Sequence, residues 1–120
     1  MLCLDTYPLI EIAKGNQKFT HLLTEDFIIT DITIAEFYYV ILQEYDTAIA
    51  SLWYKKFEHY CKTVPKEILI KAVQFRYANR NKNLSFFDCV GYVFALEEHH
   101  TFVTGDKEFK NMKLVLFIEK

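Results

Sequence analysis

The chain has 120 residues, of which 52% are hydrophobic and 17% aromatic, and its formal net charge is −2. This length fits one domain over residues 1–120, with ample apolar material for a core. The presence of only three Gly and two Pro argues against a disordered chain and against an all-β protein rich in tight turns.

Short apolar strands alternate with helical segments in the first half of the chain. Residues 2–5 are predicted to form a strand, and a helix follows over residues 8–14, with Pro8 in its first turn and Gly15 at its end. A short helix is expected near residues 17–23 and a strand at residues 27–30. Thr33 is predicted to cap a helix that runs to about residue 45, with Glu36 at its third position.

The second half continues the alternation. We predict a helix over residues 48–60, an extended piece at 61–64 and an amphipathic helix over 66–81. Ser85 is predicted to cap a helix over residues 86–99, and strands follow at 101–104 and 114–118. This order predicts an α/β fold with three layers, in which helices cover a mostly parallel central sheet of four to five strands.

Four acidic residues lie where a predicted strand ends or a predicted helix begins: Asp5, Glu36, Asp88 and Asp106. In an α/β fold these positions share one edge of the sheet, where ligands bind. Carboxylates that meet there repel one another unless a cation is present. Because oxygen ligands of this kind suit Mg²⁺ and Mn²⁺, the pattern favours a divalent-metal site at this edge.

Each acid also has a purely structural interpretation. Asp5 can cap the helix that follows it, and Asp106 lies in a turn of the kind in which Asp is common. Glu36 and Asp88 each stand three residues after a Thr or Ser, which is the spacing of a capping box. The two roles are compatible, because an acid on the first helical turn still projects over the edge of the sheet.

The remaining composition excludes several other classes of site. The three cysteines are widely spaced and form no Cys-x-x-Cys pair, which predicts buried free thiols. The four histidines show no ligand spacing, and no glycine-rich phosphate loop is present. Charged residues interrupt every apolar run within about ten residues, too soon for a membrane span, and no basic leader opens the chain. We expect a cytoplasmic protein.

The charge is unevenly distributed along the chain. Residues 55–82 contain eight basic and two acidic residues, a net charge of +6, so the remainder carries −8. Such a segment could form a phosphate-binding wall beside the acidic cluster, or it could be an ordinary solvated helix face. The candidates for phosphate contacts are Lys14, Arg76, Arg80 and Lys82.

The combination of motifs resembles the PIN-domain ribonucleases, especially the compact VapC-type toxins of bacterial and archaeal toxin–antitoxin pairs. The resemblance covers essentially the whole chain. It rests on LDT at residues 4–6, ITIAE at 32–36, FDCV at 87–90 and TFVTGDKEF at 101–109, of which the last is the most specific. The sequence departs from the family pattern at Tyr7, where Asn is common, at Glu108, where some members have Asp, and at the bulky pair Phe86-Phe87.

This resemblance implies a PIN-like fold and a Mg²⁺- or Mn²⁺-dependent endoribonuclease that uses metal-activated water and leaves a 5′-phosphate. The positions that match the family's catalytic, metal-binding acids are Asp5, Glu36, Asp88 and Asp106. The supporting oxygens are expected from Thr6, Thr104 and Glu108. The resemblance further implies a homodimer and a small antitoxin partner that blocks the site.

An antitoxin would require an exposed apolar groove. The candidate residues on the two middle helices are Tyr38, Tyr39, Leu42, Tyr45, Trp53 and Tyr54, with simple core packing as the alternative. Two further functions remain open: a nuclease of RNA processing or repair with the same metal site, and a metal-free interaction module in which the acids serve as caps. A receiver-like phospho-acceptor domain would need an early acidic pair and a late Lys that the sequence does not supply.

Overall fold

The computed structural model describes residues 1–119, in which five parallel strands form one sheet. The strands are β1 (Leu2–Leu4), β2 (Phe27–Thr30), β3 (Cys61–Lys62), β4 (Thr101–Thr104) and β5 (Val115–Phe117). Their order across the sheet is β3-β2-β1-β4-β5, and each neighbouring pair runs parallel. The α/β prediction is confirmed, and the extended piece predicted at residues 61–64 contributes an edge strand paired with β2.

Six helices flank this sheet. They are α1 (Thr6–Ala13), α2 (Gln17–Thr20), α3 (Asp31–Glu44), α4 (Thr47–Phe57), α5 (Lys66–Ala78) and α6 (Phe86–Glu97). The helices predicted over residues 17–23 and 48–60 each finish in a 3₁₀ turn, and those predicted to end at residues 81 and 99 stop earlier. After α6 the chain reverses through His99, which has a positive φ of 59°.

The start of α3 corrects one prediction. Thr30, not Thr33, is the N-cap, because the Thr30 hydroxyl oxygen accepts a hydrogen bond from the Thr33 amide at 3.0 Å. The helix consequently begins at Asp31, and Glu36 lies in its second turn. The predicted capping box between Thr33 and Glu36 is therefore wrong, and the Glu36 carboxylate is not needed to cap the helix.

The core lies on both faces of the sheet, as the three-layer prediction requires. Cys3 and Phe102 pack with α5 and α6 on one face, whereas their neighbours Leu4 and Val103 pack with α1, α3 and α4 on the other. Helix α6 lies close to β4, since a Cβ atom at Gly91 would come within 3.1 Å of the Phe102 ring. No helix within residues 1–119 is long and apolar enough to cross a bilayer.

Strand β1 is the point at which the strand order reverses. The chain adds β2 on one side of β1 and later returns to place β4 on the other side. Connections that leave neighbouring parallel strands in opposite directions open a crevice at the carboxyl ends of those strands. The segments after β1 and β4 border this crevice.

Candidate active site at the carboxyl edge of the sheet

A cleft of about 540 Å³ opens beyond β1 and β4, and all four acids predicted from the sequence line it. The lining residues that were predicted are Asp5, Thr6, Glu36, Asp88, Asp106 and Glu108. The others are Tyr7, Ile10, Val40, Asn83, Gly105 and Lys107. Four segments distant in sequence thus contribute carboxylates to a common space.

Asp5 is the most buried of the four acids, with 4% of its surface exposed. One carboxylate oxygen accepts a hydrogen bond from the Thr6 amide at 2.8 Å and so caps α1. The other oxygen accepts from the hydroxyl of Thr104 at 2.8 Å. Asp5 therefore both caps a helix and lines the cleft, and its orientation is fixed from two sides.

The Thr104 hydroxyl links two of the acids. While it donates to Asp5, its oxygen accepts a hydrogen bond from the Asp106 amide at 3.0 Å. Thr104 is fully buried at the end of β4, directly beneath the cleft. The Asp106 carboxylate in turn accepts from the Glu108 amide at 3.0 Å and caps the 3₁₀ turn that follows.

Glu36 and Asp88 are held by different means. The Glu36 carboxylate accepts a hydrogen bond from the Thr6 hydroxyl, which joins α3 to the start of α1. Asp88 forms the predicted capping box, in which its amide donates to the Ser85 hydroxyl oxygen at 3.1 Å and its carboxylate accepts from the Ser85 amide at 3.3 Å. The capping box uses one carboxylate oxygen of Asp88, and the Asp88 residue also lines the cleft.

The folded structure disfavours ionisation of three of the cleft carboxyls. Burial raises the pKa of Asp5 from 3.8 to about 8, and the neighbouring charge of Asp88 adds to this rise. Burial also raises the pKa of Glu36, and repulsion from Asp88 adds to that rise. The pKa of Asp88 is raised by burial and, to a smaller extent, by repulsion from Asp106. A cation in the cleft would oppose these shifts, because it stabilises the ionised carboxylates.

The donor set fits a hard divalent cation in its chemistry. Carboxylate oxygens from Asp5, Glu36, Asp88 and Asp106 are ligands that Mg²⁺ and Mn²⁺ prefer. Within residues 1–119, however, no three Asp, Glu, His or Cys side chains already converge as a complete set of metal ligands.

One wall of the cleft was not predicted from the sequence. The Tyr7 ring lies against Gly105, where an added Cβ atom would come within 2.2 Å of the ring. The Tyr7 ring also makes an edge-on contact with Phe19, with ring centroids 5.7 Å apart. A side chain at position 105 would therefore force the Tyr7 ring to move, and the Thr-Gly-Asp turn was the only signal for this contact in the sequence.

The four predicted phosphate-contacting residues are divided between two places. Lys14 lies at the end of α1, outside the cleft lining, and forms an ion pair with Glu44 at 3.5 Å. The other three residues line a second cavity beside the cleft: Arg76, Arg80 and Lys82. This cavity shares one lining residue, Asn83, with the acidic cleft.

The aromatic residues of α3 and α4 are likewise divided. Tyr38 and Trp53 are partly buried against the core, as the core alternative predicted. The remaining candidates are exposed by 39–59%: Tyr39, Leu42, Tyr45 and Tyr54. Leu52, which was not among the predicted residues, is also 53% exposed on α4.

Several solved structures with the same architecture are described as toxins or toxin–antitoxin complexes. A toxin–antitoxin complex from Klebsiella pneumoniae contains a chain that is 18% identical, with 100% of both chains covered and a TM-score of 0.79. The sarcin–ricin loop-cleaving toxin VapC20 of Mycobacterium tuberculosis is 10% identical, again over 100% of both chains, with a TM-score of 0.81. VapBC2 from Rickettsia felis, bound to a promoter DNA fragment, matches at 16% identity over 99% of this chain and 98% of that one, with a TM-score of 0.78.

At these identities the similarity establishes the fold, which resembles that of VapC toxins. No curated protein matches the chain in sequence. The family model described as the PIN domain matches residues 2–114, which include all four acids of the cleft. The chain therefore belongs to the PIN-domain family.

Proposed function

We propose that this protein is a divalent-metal-dependent endoribonuclease and the toxin of a toxin–antitoxin pair. The observation that carries the proposal is the cleft itself, which is lined by Asp5, Glu36, Asp88 and Asp106 and whose surroundings raise the pKa of the first three. Clustered carboxylates with perturbed pKa values in a cleft are typical of functional sites. Membership of the PIN-domain family supports the same reaction class.

In this proposal the four acids hold Mg²⁺ or Mn²⁺, and two hydroxyls hold the acids. The Thr104 hydroxyl orients Asp5, and the Thr6 hydroxyl orients Glu36. The chemistry supplied by such a cation is Lewis-acid activation of water and neutralisation of charge on the attacked phosphate. Glu108 adds a further carboxylate at the rim of the cleft.

The other residues of the cleft shape the space for substrate. Tyr7, Ile10 and Val40 supply the apolar part of its lining. An apolar wall limits the access of bulk water and therefore strengthens the electrostatic interactions within the cleft. Lys107 brings a positive charge to the same cleft, where it can contact a phosphate oxygen.

RNA cleavage by purified protein in millimolar Mn²⁺ tests the proposal. Asp5→Asn and Asp88→Asn should each abolish cleavage, because Asn can still cap a helix but lacks the charge that holds a cation. The matched control is Asp46→Asn, since the Asp46 carboxylate also accepts a capping hydrogen bond, from the Ile49 amide at 2.8 Å, and does not line the cleft.

The control variant should cleave RNA at the wild-type rate, and circular dichroism should show all variants folded. A wild-type protein that fails to cleave single-stranded and structured RNA across Mg²⁺ and Mn²⁺ concentrations would contradict the proposal. That result would favour a metal-free interaction module, for which the capping hydrogen bonds of Asp5, Asp88 and Asp106 are the supporting observation. Activity confined to one precursor or damaged RNA would favour a processing or repair nuclease.

The proposal also includes an antitoxin partner and a homodimer. The exposed apolar residues of α3 and α4, among them Tyr39, Tyr45 and Leu52, offer a surface for an apolar helix or segment. Similar folds occur in toxin–antitoxin complexes, which supports a protein partner. Co-expression with any small reading frame found beside its gene, followed by sedimentation analysis, would show whether either assembly forms.

A further inference from the structure

A second cavity, of about 390 Å³, lies where α5 ends and the chain turns towards α6. Three cationic side chains and one aromatic ring border it: Arg76, Arg80, Lys82 and Tyr77. This cavity is separate from the acidic cleft, and its lining has the opposite charge. Its shape and composition therefore indicate an anionic ligand.

The cations of this cavity are not neutralised by neighbouring acids. Within residues 1–119 the ion pairs are Lys14 with Glu44 and Lys71 with Glu97, and neither involves the cavity. The two guanidinium groups are instead held by backbone carbonyl oxygens. Arg76 Nε donates to the Leu84 carbonyl at 3.1 Å, and Arg80 Nη1 donates to the Tyr77 carbonyl at 2.9 Å. Each guanidinium is thereby positioned while most of its N–H groups remain available.

The ring of Tyr77 presents a second kind of surface. Tyr77 is 68% exposed, more than any other large apolar or aromatic side chain within residues 1–119. The Arg80 guanidinium lies 4.3 Å from the centre of this ring and covers one of its faces. An aromatic ring paired with a guanidinium plane is a surface on which an unpaired base can stack.

The cavity adjoins the acidic cleft. Asn83 lines both, and Leu84, which accepts the hydrogen bond from Arg76, precedes the capping box of α6. A single polyanionic chain can therefore lie across both spaces.

We propose that this cavity binds one nucleotide of a single-stranded RNA whose neighbouring phosphate occupies the acidic cleft. Arg76, Arg80 and Lys82 contact the phosphate, and the open face of Tyr77 stacks on the base. The inference rests on the proposed nuclease function, to which it adds the class of substrate. Unpaired RNA is favoured over a duplex because the faces of paired bases are covered by their neighbours, and a ring such as Tyr77 then has nothing to stack on.

Fluorescence anisotropy of a labelled single-stranded RNA of mixed sequence, with Ca²⁺ in place of Mn²⁺ to prevent cleavage, tests this site. The double variant Arg80→Gln with Lys82→Gln should reduce the slope of log affinity against log salt by about 0.7 for each phosphate that the variant no longer neutralises. Arg76 is left intact, because its bond to the Leu84 carbonyl supports the loop. The matched control, Lys62→Gln with Lys66→Gln, makes the same change in net charge at exposed positions outside the cavity.

The stacking interaction is tested separately. Tyr77→Ala should weaken RNA binding roughly tenfold with an unchanged salt slope, because stacking involves no released counterion. Tyr77→Phe should retain wild-type affinity, since it keeps the ring and removes only the hydroxyl. Binding of a labelled, blunt-ended RNA duplex should be insensitive to Tyr77→Ala, because a duplex offers no unpaired base.

RNA cleavage in Mn²⁺, measured on the same proteins, separates failure of this inference from failure of the proposed function. Cleavage by the wild type, combined with an unaltered salt slope in the Arg80→Gln/Lys82→Gln variant, overturns the nucleotide site and leaves the nuclease standing. Absence of cleavage, combined with a reduced slope, removes the nuclease and retains an RNA-binding cavity. If the Arg80→Gln/Lys82→Gln variant lost binding to labelled poly-glutamate but kept its binding to RNA, the cavity would be assigned to an acidic protein segment. That result would overturn the inference.

Discussion

The ionisation of Asp5 predicts how the stability of the metal-free protein depends on pH. Its folded-state pKa of about 8 lies above the ordinary value of 3.8, chiefly because the side chain is buried. A carboxyl with a raised folded-state pKa contributes stability at low pH, and this contribution is lost as pH rises towards the folded pKa. In EDTA, the free energy of unfolding should therefore fall between about pH 4 and pH 8.

The magnitude follows from the shift. Each pH unit in that window costs about 1.4 kcal/mol, so the interval from pH 5 to pH 8 corresponds to roughly 4 kcal/mol for Asp5. This is a large part of the 5–15 kcal/mol that typically stabilises a domain. It is an upper limit, because Asp88 and Asp5 repel each other and the release of one proton discourages the next.

The variant Asp5→Asn removes this contribution together with the repulsion between Asp5 and Asp88, while the other titrating groups are common to both proteins. Asn retains the oxygen that caps α1 but cannot ionise. In urea unfolding with EDTA, the variant should gain on the wild type by up to about 4 kcal/mol as pH rises from 5 to 8. In millimolar Mn²⁺ at pH 8 the wild type should instead gain stability relative to the variant, because a cation bound to the folded wild type stabilises it.

A stability difference between variant and wild type that stays constant from pH 5 to pH 8 in EDTA would refute the reasoning. It would show that Asp5 ionises as freely in the folded protein as in the unfolded chain. The matched control is again Asp46→Asn, which makes the same substitution at an exposed helix cap outside the cleft. Unfolding midpoints identical with EDTA and with Mn²⁺ would separately argue against a bound cation.

Three further variants test individual residues in and around the cleft. Gly105→Ala should destabilise the protein by about 1–3 kcal/mol in urea unfolding, because its Cβ atom would displace the Tyr7 ring; a neutral effect would show that the ring moves freely. Thr104→Val should lower RNA cleavage at least tenfold and cost about 1–3 kcal/mol of stability, since Asp5 loses its hydroxyl donor; wild-type cleavage would remove the hydroxyl from the site. Lys14→Ala should leave RNA affinity and its salt slope unchanged in anisotropy measurements, because Lys14 lies outside both cavities; a reduced slope would extend the RNA path to α1.

Local sequence signals predicted the elements well where a few neighbouring residues decide the outcome. The apolar runs at residues 27–30 and 101–104 form strands as predicted, because buried parallel strands require continuous apolar sequence. Ser85 caps α6 with Asp88 in the expected box, since all its hydrogen bonds lie within four residues. The choice of Thr30 over Thr33 as the cap of α3 was not predictable in this way, because either hydroxyl satisfies the local rule.

For the candidate site, too, some features follow from the sequence and others only from the tertiary structure. The sequence by itself determined that Asp5, Glu36, Asp88 and Asp106 stand at strand ends and helix starts, and the parallel α/β pattern placed such positions at one edge. It also favoured the family to which the chain belongs, since the spacing of these acids is a property of the linear chain.

Only the tertiary structure decided which of these residues touch. The hydrogen bonds from Thr104 to Asp5 and from Thr6 to Glu36 join residues 99 and 30 positions apart, and no periodicity encodes such pairings. The strand order β3-β2-β1-β4-β5 likewise arises from packing of helices on both faces. That order buries the Asp5 carboxyl close to Asp88 and Glu36, and its pKa is raised as a result. Burial and repulsion depend on position in space rather than on position along the chain.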